Sequence, residues 1–165
     1  MKKEVLKLAV LSSENGIILQ EIIDAIISNV LDAKINAVVS DNKDAYALER
    51  ARKAGIESYI IRSHNAKGRD EELSVMLDLI NVEIIILDHY FKNIGPKVLE
   101  NFIVLNTYPP VFQNHVDNEI IWQLHVPGVA DDTLDEKSVH IKKNEKSQIV
   151  SILRAFSEGK IDYHK

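Results

Sequence analysis

In the stretch V-L-N-T-Y-P-P-V-F, residues 104–112, a short apolar run gives way to polar residues and then to two prolines. This run begins at residue 102 and predicts a buried strand that ends at Asn106, because the prolines break any regular element. Ligands of open α/β sheets bind just beyond the carboxyl ends of the strands. Asn106 and Tyr108 are therefore the first candidates for chemistry. The structural alternative is a strand end and a rigid turn, with Asn106 capping backbone groups.

Apolar runs alternate with segments of helical periodicity along the rest of the chain. The predicted strands cover residues 6–11, 35–39, 56–61, 83–87, 102–105 and 118–126, with a short edge strand at 161–163. The predicted helices cover residues 17–31, 45–54, 70–79, 96–101 and a long stretch from Asp132 or Thr133 to about Phe156, whose solvated face includes the basic run 137–146. This alternation predicts an α/β fold, a mostly parallel twisted sheet with helices on both faces.

Length and composition limit the class of protein. The 165 residues fit one domain, spanning residues 1–165. A net charge of −5 gives no basic surplus, so neither nucleic acid nor an anionic membrane is an expected partner. The absence of cysteine excludes disulfides and thiolate chemistry and fits a cytoplasmic protein. No signal-peptide pattern, membrane-length apolar run or paired histidine spacing appears, so no metal site is predicted.

The loop S-S-E-N-G, residues 12–16, joins the first predicted strand to the first predicted helix. A helix N-terminus offers unpaired N–H groups and a partial positive charge, which makes it a natural anion site. Two features oppose that use here. Glu14 puts a carboxylate in the loop, and Ile17 and Ile18 stand where Ser or Asn would donate hydrogen bonds. The residues by themselves favour a structural turn.

Several motifs match one known family over nearly the whole chain. Residues 11–20, L-S-S-E-N-G-I-I-L-Q, align with its L-I-S-G-N-G-S-N-L-Q, and residues 105–109, L-N-T-Y-P, with its L-N-I-H-P. Residues 38–56, V-V-S-D-N-K-D-A-Y-A-L-E-R-A-R-K-A-G-I, match more closely still. The chain thus resembles the glycinamide ribonucleotide (GAR) transformylase family, within the wider formyltransferase group. This resemblance implies a single Rossmann-like formyltransferase domain and a homodimer.

The resemblance also implies a reaction in purine biosynthesis, formyl transfer from 10-formyltetrahydrofolate to the amine of GAR. In that family an Asn and a protonated His stabilise the oxyanion, and a downstream Asp keeps the His charged. The resemblance puts Asn106 at the catalytic Asn and Tyr108 at the His. It puts the substrate phosphate loop at Ser13, Glu14, Asn15 and Gly16. It puts the folate wall at Tyr90, Phe91, Lys92 and Ile94.

This sequence departs from the family pattern in four places. Tyr108 is a phenol, which is neutral at pH 7. Only Gln113–Asn118 stands where the family has a longer segment with the catalytic Asp, and Asp117 is the one carboxylate there. Glu14 replaces a Gly of the phosphate loop. Lys92-Asn93 replaces an Arg-Ile pair of the folate wall. Damage to all four parts predicts weak or no transformylase activity.

Three functions remain open at this point. The first is a retained fold that binds a nucleotide, a folate-like ligand or a protein. The second is a working formyltransferase or formyl hydrolase in which His89 or His115 replaces the missing acid, the alternative for each being an exposed loop histidine. The third is an interaction module whose apolar patch consists of Ile17, Ile18, Val111 and Phe112, unless these residues pack into the space of the shortened loop.

Overall fold

The computed structural model describes residues 5–107, 119–127, 138–142 and 147–161. Some sequence predictions fall outside these ranges, namely those on Tyr108, Val111, Phe112, the segment Gln113–Asn118 with His115 and Asp117, Asp132, Thr133 and residues 162–163.

Within the described ranges the chain forms seven strands and five helices. The strands are β1 (Leu6–Leu11), β2 (Ala33–Ser40), β3 (Ser58–Ile60), β4 (Ile84–Leu87), β5 (Ile103–Thr107), β6 (Glu119–His125) and β7 (Ser138–Lys142). The helices are α1 (Ile17–Ile27), α2 (Tyr46–Lys53), α3 (Ala66–Leu79), α4 (Pro96–Asn101) and α5 (Gln148–Ser157). Strands and helices alternate from β1 to β5.

The strands form one sheet in the order β3-β2-β1-β4-β5-β6-β7. The pairs from β3 to β5 are parallel, whereas β6 and β7 are antiparallel to their neighbours. This confirms the predicted α/β fold with a mostly parallel sheet. The chain adds β2 and β3 on one side of β1 and then returns to add β4 on the other side. The boundary between β1 and β4 is therefore the point where the strand order reverses, which is where open α/β sheets bind ligands.

Each face of the sheet carries its own apolar core. One core contains Leu8 and Ile86 with buried side chains of α1, α2 and α5. The other contains Leu11 and Ile85 with buried side chains of α3 and α4. Because β4 is buried on both faces, its sequence is apolar without alternation, and β1 is likewise apolar except at the partly buried Lys7.

The prediction of one long helix from Asp132 or Thr133 to about Phe156 is wrong. Instead of one long helix, the chain forms β7 and then the shorter helix α5. The run 138–142, S-V-H-I-K, alternates polar and apolar residues as a strand does, and its pairing with β6 prevails over the helix propensity of the lysines around it. A new helix begins after Ser147, whose hydroxyl accepts a hydrogen bond from the backbone N–H of Val150 at 3.4 Å.

Smaller corrections concern helix ends. Helix α1 ends at Ile27, four residues early, because Ser28 leaves the helix and Asn29 has a left-handed φ of 58°. Helix α3 begins at Ala66, four residues before the predicted start. Its N-cap is Asn65, whose side chain accepts a hydrogen bond from the backbone N–H of Gly68 at 2.7 Å.

Gly16 and Gly55 form a matched pair for testing the packing of α1 against α2. Both have a φ of +68°, but a Cβ at Gly16 would lie 2.8 Å from Ala47 Cβ, whereas one at Gly55 would meet nothing within 4 Å. We expect Gly55→Ala to lower the free energy of unfolding by about 1–2 kcal/mol through backbone strain. Gly16→Ala should cost roughly 1–3 kcal/mol more, because overpacking is added to the strain. Urea denaturation measures both values, and equal losses would contradict the close approach.

Candidate active site

The loop 12–16 leaves β1 at the reversal point of the sheet and enters α1, as predicted. Ser13 is 4% exposed, and its hydroxyl donates to Asp41 Oδ1 at 2.5 Å and accepts from the backbone N–H of Phe91 at 3.1 Å. The side-chain amide of Asn42 donates to the Ser13 carbonyl at 3.1 Å. The first loop is thus joined to the loops after β2 and β4, and the Ser13 hydroxyl is already engaged within the protein.

Asp88, the residue after β4, caps helix α1. Its carboxylate is fully buried, and Oδ2 accepts a hydrogen bond from the backbone N–H of Leu19 at 3.0 Å. Leu19 is the third residue of α1, and Gly16 at the N-cap has no side chain to serve this N–H. The other oxygen, Oδ1, lies 3.2 Å from Nδ1 of His89. Local sequence patterns missed this role because Asp88 and Leu19 are 69 residues apart; the available signal was a polar residue at the end of a buried strand.

Two residues of this loop, Glu14 and Asn15, turn their side chains to solvent. Glu14 and Asn15 are exposed, and their backbone carbonyls hold α2 by accepting from the N–H of Ala47 at 3.0 Å and from Nε of Arg50 at 2.7 Å. Ile17 is 55% exposed, so one member of the proposed apolar patch faces solvent. Its neighbour Ile18 is partly buried and packs against the core.

Asn106 lines a cavity of about 490 Å³ at the end of β5, beside the end of β4. The residues assigned to the folate wall line the same cavity, so the structure brings together two parts of the predicted site. The full described lining is Leu87, Tyr90, Phe91, Lys92, Asn93, Ile94, Leu99, Val104, Asn106 and His125. The loop 12–16 lies outside this lining but contacts it through Phe91.

His125 is a cavity residue that sequence reasoning missed. Strand β6 runs antiparallel to β5 and pairs His125 with Val104, two residues before Asn106. The ring Nε2–H donates to the backbone carbonyl of Leu99 at 2.8 Å, which fixes the ring orientation. His89, one of the two histidines named from sequence, has a side chain 58% exposed and does not line this cavity. The signal for His125 was its place in an apolar strand that could pair with the Asn106 strand.

Tyr90 gives the cavity a neutral hydrogen-bonding group. Burial is the main cause that raises the pKa of its phenol to about 12; the Asp41 carboxylate acts in the same direction, and the Arg69 guanidinium opposes it. The phenol therefore stays protonated at neutral pH. Lys92 supplies a cation at the same wall, with Nζ 4.0 Å from Asp41 Oδ2.

The raised pKa of Tyr90 makes stability sensitive to alkaline pH. The folded state holds this proton more tightly than the unfolded chain, so the stabilisation is present below the ordinary pKa of 10 and is lost as pH rises towards 12. Between about pH 10 and pH 12, the unfolding free energy of wild type should fall as the phenol ionises. In Tyr90→Phe this fall should be smaller by on the order of 1 kcal/mol, a figure that already allows for solvent screening. Urea denaturation at a series of pH values measures it. Tyr46→Phe, at a tyrosine 46% exposed, is the control, and equal slopes in both variants would contradict the assignment.

No helix in the described ranges has the length and apolar character needed to cross a membrane. The same part of the chain holds no group of three or more His, Asp or Glu side chains placed to bind a metal ion.

Comparison with known proteins defines the class. Residues 6–116 match the family model described as formyl transferase, which covers more than half of the 165 residues, so the chain belongs to this family. A phosphoribosylglycinamide formyltransferase of Haemophilus influenzae is 28% identical over 188 residues, covering 94% of this chain and 89% of that protein. One from Escherichia coli is 28% identical over 193 residues, covering 97% and 91%.

Solved structures show the same fold. Glycinamide ribonucleotide transformylase 1 from Symbiobacterium toebii superposes with a TM-score of 0.72 at 19% identity, covering 99% of this chain and 96% of that one. A phosphoribosylglycinamide formyltransferase from Coxiella burnetii gives a TM-score of 0.68 at 21% identity, covering 98% of this chain and 92% of that one.

The alignment with the Haemophilus relative spans 188 residues, more than the 165 of this chain, so that relative carries segments that this chain lacks.

Proposed function

We propose that this protein is a divergent relative of phosphoribosylglycinamide formyltransferase that retains a ligand cavity at Asn106 but transfers formyl groups to GAR weakly or not at all. The observation that carries the proposal is the lining of that cavity. It contains two amides, a lysine, a phenol and an imidazole, but no carboxylate among the described residues. The proposal treats residues 1–165 as one domain of a cytoplasmic protein that acts on small molecules, with a homodimer as the expected assembly.

The cavity suits a reduced folate such as 10-formyltetrahydrofolate. Its volume of about 490 Å³ lies within the usual range for small-molecule sites. Leu87, Ile94 and Val104 provide apolar walls for a flat heterocycle, while Asn106 offers hydrogen bonds to polar edges. Lys92 provides a cation for a carboxylate of the ligand. The residues present therefore fit a donor of this chemical class.

The catalytic groups support slow chemistry. Attack of an amine on a formyl carbon develops negative charge on the formyl oxygen, and the Asn106 amide can donate a hydrogen bond to it. The family's second donor is a charged imidazole, but Tyr108 stands at that position and is neutral at pH 7. Loss of one such donor costs about a hundredfold to a thousandfold in rate. Among the described residues of the cavity lining, no carboxylate is present to keep a substitute imidazole charged.

The test is an assay of formyl transfer from 10-formyltetrahydrofolate at saturating GAR. Folate absorbance reports the rate, and Asn106→Ala is the matched control. We expect wild-type turnover to stay within about tenfold of the Asn106→Ala background, because the remaining amide acts without a charged partner. Equilibrium binding of 5-formyltetrahydrofolate should be measurable in wild type and weaker in Lys92→Met. Fast transfer that Asn106→Ala abolishes would overturn the proposal of weak activity, and absence of folate binding would overturn the proposed ligand.

One observation favours a second candidate, an active formyltransferase or formyl hydrolase with a relocated imidazole. His125 lines the same cavity as Asn106 and is held by the Leu99 carbonyl, a placement that His89 does not share. Imidazole is the side chain that enzymes most often use for proton transfer.

This candidate predicts different effects for two histidine variants. His125→Gln keeps a hydrogen-bond donor for the Leu99 carbonyl but removes the titrating ring. It should reduce formyl transfer or formate release by about a hundredfold or more, whereas His89→Gln should stay near wild type. Rates are compared over a pH series, in which the loss of one ionisation from the profile marks the ring. Equal rates in wild type and His125→Gln would remove this candidate.

A further inference from the structure

We infer that Asp70 is a positioning residue for the cavity at Asn106. Its carboxylate holds the start of helix α4, and α4 in turn places the Leu99 carbonyl that binds the ring of His125. Asp70 lies outside the described lining of the cavity, so it acts through α4. The inference rests on the proposed function, because it names a residue on which the ligand affinity of that cavity depends.

The start of α4 has two backbone N–H groups that need a partner from outside the helix. Gly95 at the N-cap has no side chain, and Pro96, the first helical residue, has no N–H. The N–H of Leu99 donates to the Gly95 carbonyl at 3.1 Å. The N–H groups of Lys97 and Val98 come too early in the helix for such a bond. Because Val98 is fully buried, water is a poor substitute for a protein acceptor there.

Asp70, on helix α3, accepts from both of these groups. Its side chain is buried, and Oδ2 accepts from the N–H of Lys97 at 2.9 Å while Oδ1 accepts from the N–H of Val98 at 3.1 Å. A carboxylate forms stronger hydrogen bonds than a neutral acceptor, and two bonds from one group fix a direction as well as a distance. The contact is also close-packed, since a Cβ at Gly95 would lie 2.6 Å from Asp70 Oδ1.

Other contacts of α4 do not give the same directional hold. Burial of Val98 anchors the helix to the core, but apolar contacts carry no preferred direction. The ion pair between Lys97 Nζ and Glu71 Oε1, at 3.2 Å, also joins α4 to α3. Both of its side chains are about half exposed, so solvent screens it, and it holds the tip of a long side chain rather than the backbone. Asp70 is therefore the contact that orients the helix backbone.

Helix α4 carries this orientation to the cavity. The Leu99 carbonyl accepts from Nε2–H of His125 at 2.8 Å, and both residues line the cavity. Ile94, the residue before the N-cap, lines it as well. A helix of six residues has little stability of its own, so its placement depends on the contacts at its ends. Loss of the Asp70 bonds should therefore shift the wall from Ile94 to Leu99 and the ring that Leu99 holds.

The first experiment needs no ligand. It compares the ¹⁵N NMR shift of the His125 ring Nε2 and the amide shifts of Ile94 and Leu99 between wild type and three variants. Asp70→Asn keeps one acceptor oxygen and removes the second, and Gly95→Ala pushes against the carboxylate without changing it. Both should shift these signals. Glu71→Gln, which breaks the exposed ion pair between the same two helices, should leave them in place. Unchanged His125 signals in folded Asp70→Asn and Gly95→Ala would overturn the inference.

The second experiment measures equilibrium binding of 5-formyltetrahydrofolate by the same full-length variants. We expect Asp70→Asn and Gly95→Ala to bind about threefold to tenfold more weakly than wild type, because the wall is no longer held in its binding geometry. Glu71→Gln should bind as wild type does. Gly55→Ala, a strained variant outside the cavity lining, shows what a general loss of stability does to binding and should also match wild type. Equal affinity in wild type and folded Asp70→Asn would overturn the inference.

The two experiments separate this inference from the proposed function. Absence of folate binding by wild type would overturn the proposed ligand, and the His125 ring signals would still decide the role of Asp70. Binding by wild type, with ring signals and affinity unchanged in Asp70→Asn, would overturn the role of Asp70 and leave the proposed ligand standing.

Discussion

Parallel pairing of β1 with both β2 and β4 is the constraint on which the rest of the structure depends. It buries β1 on both faces and brings the loops after β1, β2 and β4 to one edge of the sheet. The contacts among Ser13, Asp41 and Asp88 follow from that placement, since these residues come after three strands that are distant in sequence. The apolar layers hold the strands in place, and the strand ends then determine where the polar side chains of the site lie.

Sequence patterns predicted those parts of the molecule that depend on local information. The apolar runs located β1, β4 and β5, and the place of Asn106 at a strand end located the cavity. The long-range contacts of the candidate site were not accessible in this way. Asp88 binds Leu19 across 69 residues, and His125 reaches Leu99 only because β6 pairs antiparallel with β5. Strand β7 was missed since its charged flanks favour a helix when pairing partners are not considered.

The two ends of the cleft differ in their polar groups. The cavity at Asn106 combines apolar walls with amide, lysine, phenol and imidazole side chains, and its described lining holds no carboxylate. At the other end, the buried Asp88 carboxylate accepts the hydrogen bond of the Leu19 N–H at the start of α1. Asn106 lies near the end of β5 and Asp88 directly follows β4, so both polar groups stand where a strand ends.

The hydrogen bonds between the first loop and the segment after β4 give the two ends a mechanical connection. Ser13 donates its N–H to the carbonyl of His89 and accepts at its hydroxyl from the N–H of Phe91, and Phe91 lines the cavity. A molecule that moves the Phe91 wall must therefore stretch or release a bond to the loop that begins α1. Thermodynamic linkage is reciprocal: a ligand at the loop that changed the affinity of the cavity for a second ligand would have its own affinity changed by the same factor. The bond between Ser13 and Phe91 is a described contact through which such coupling would run, and it requires no movement of the sheet.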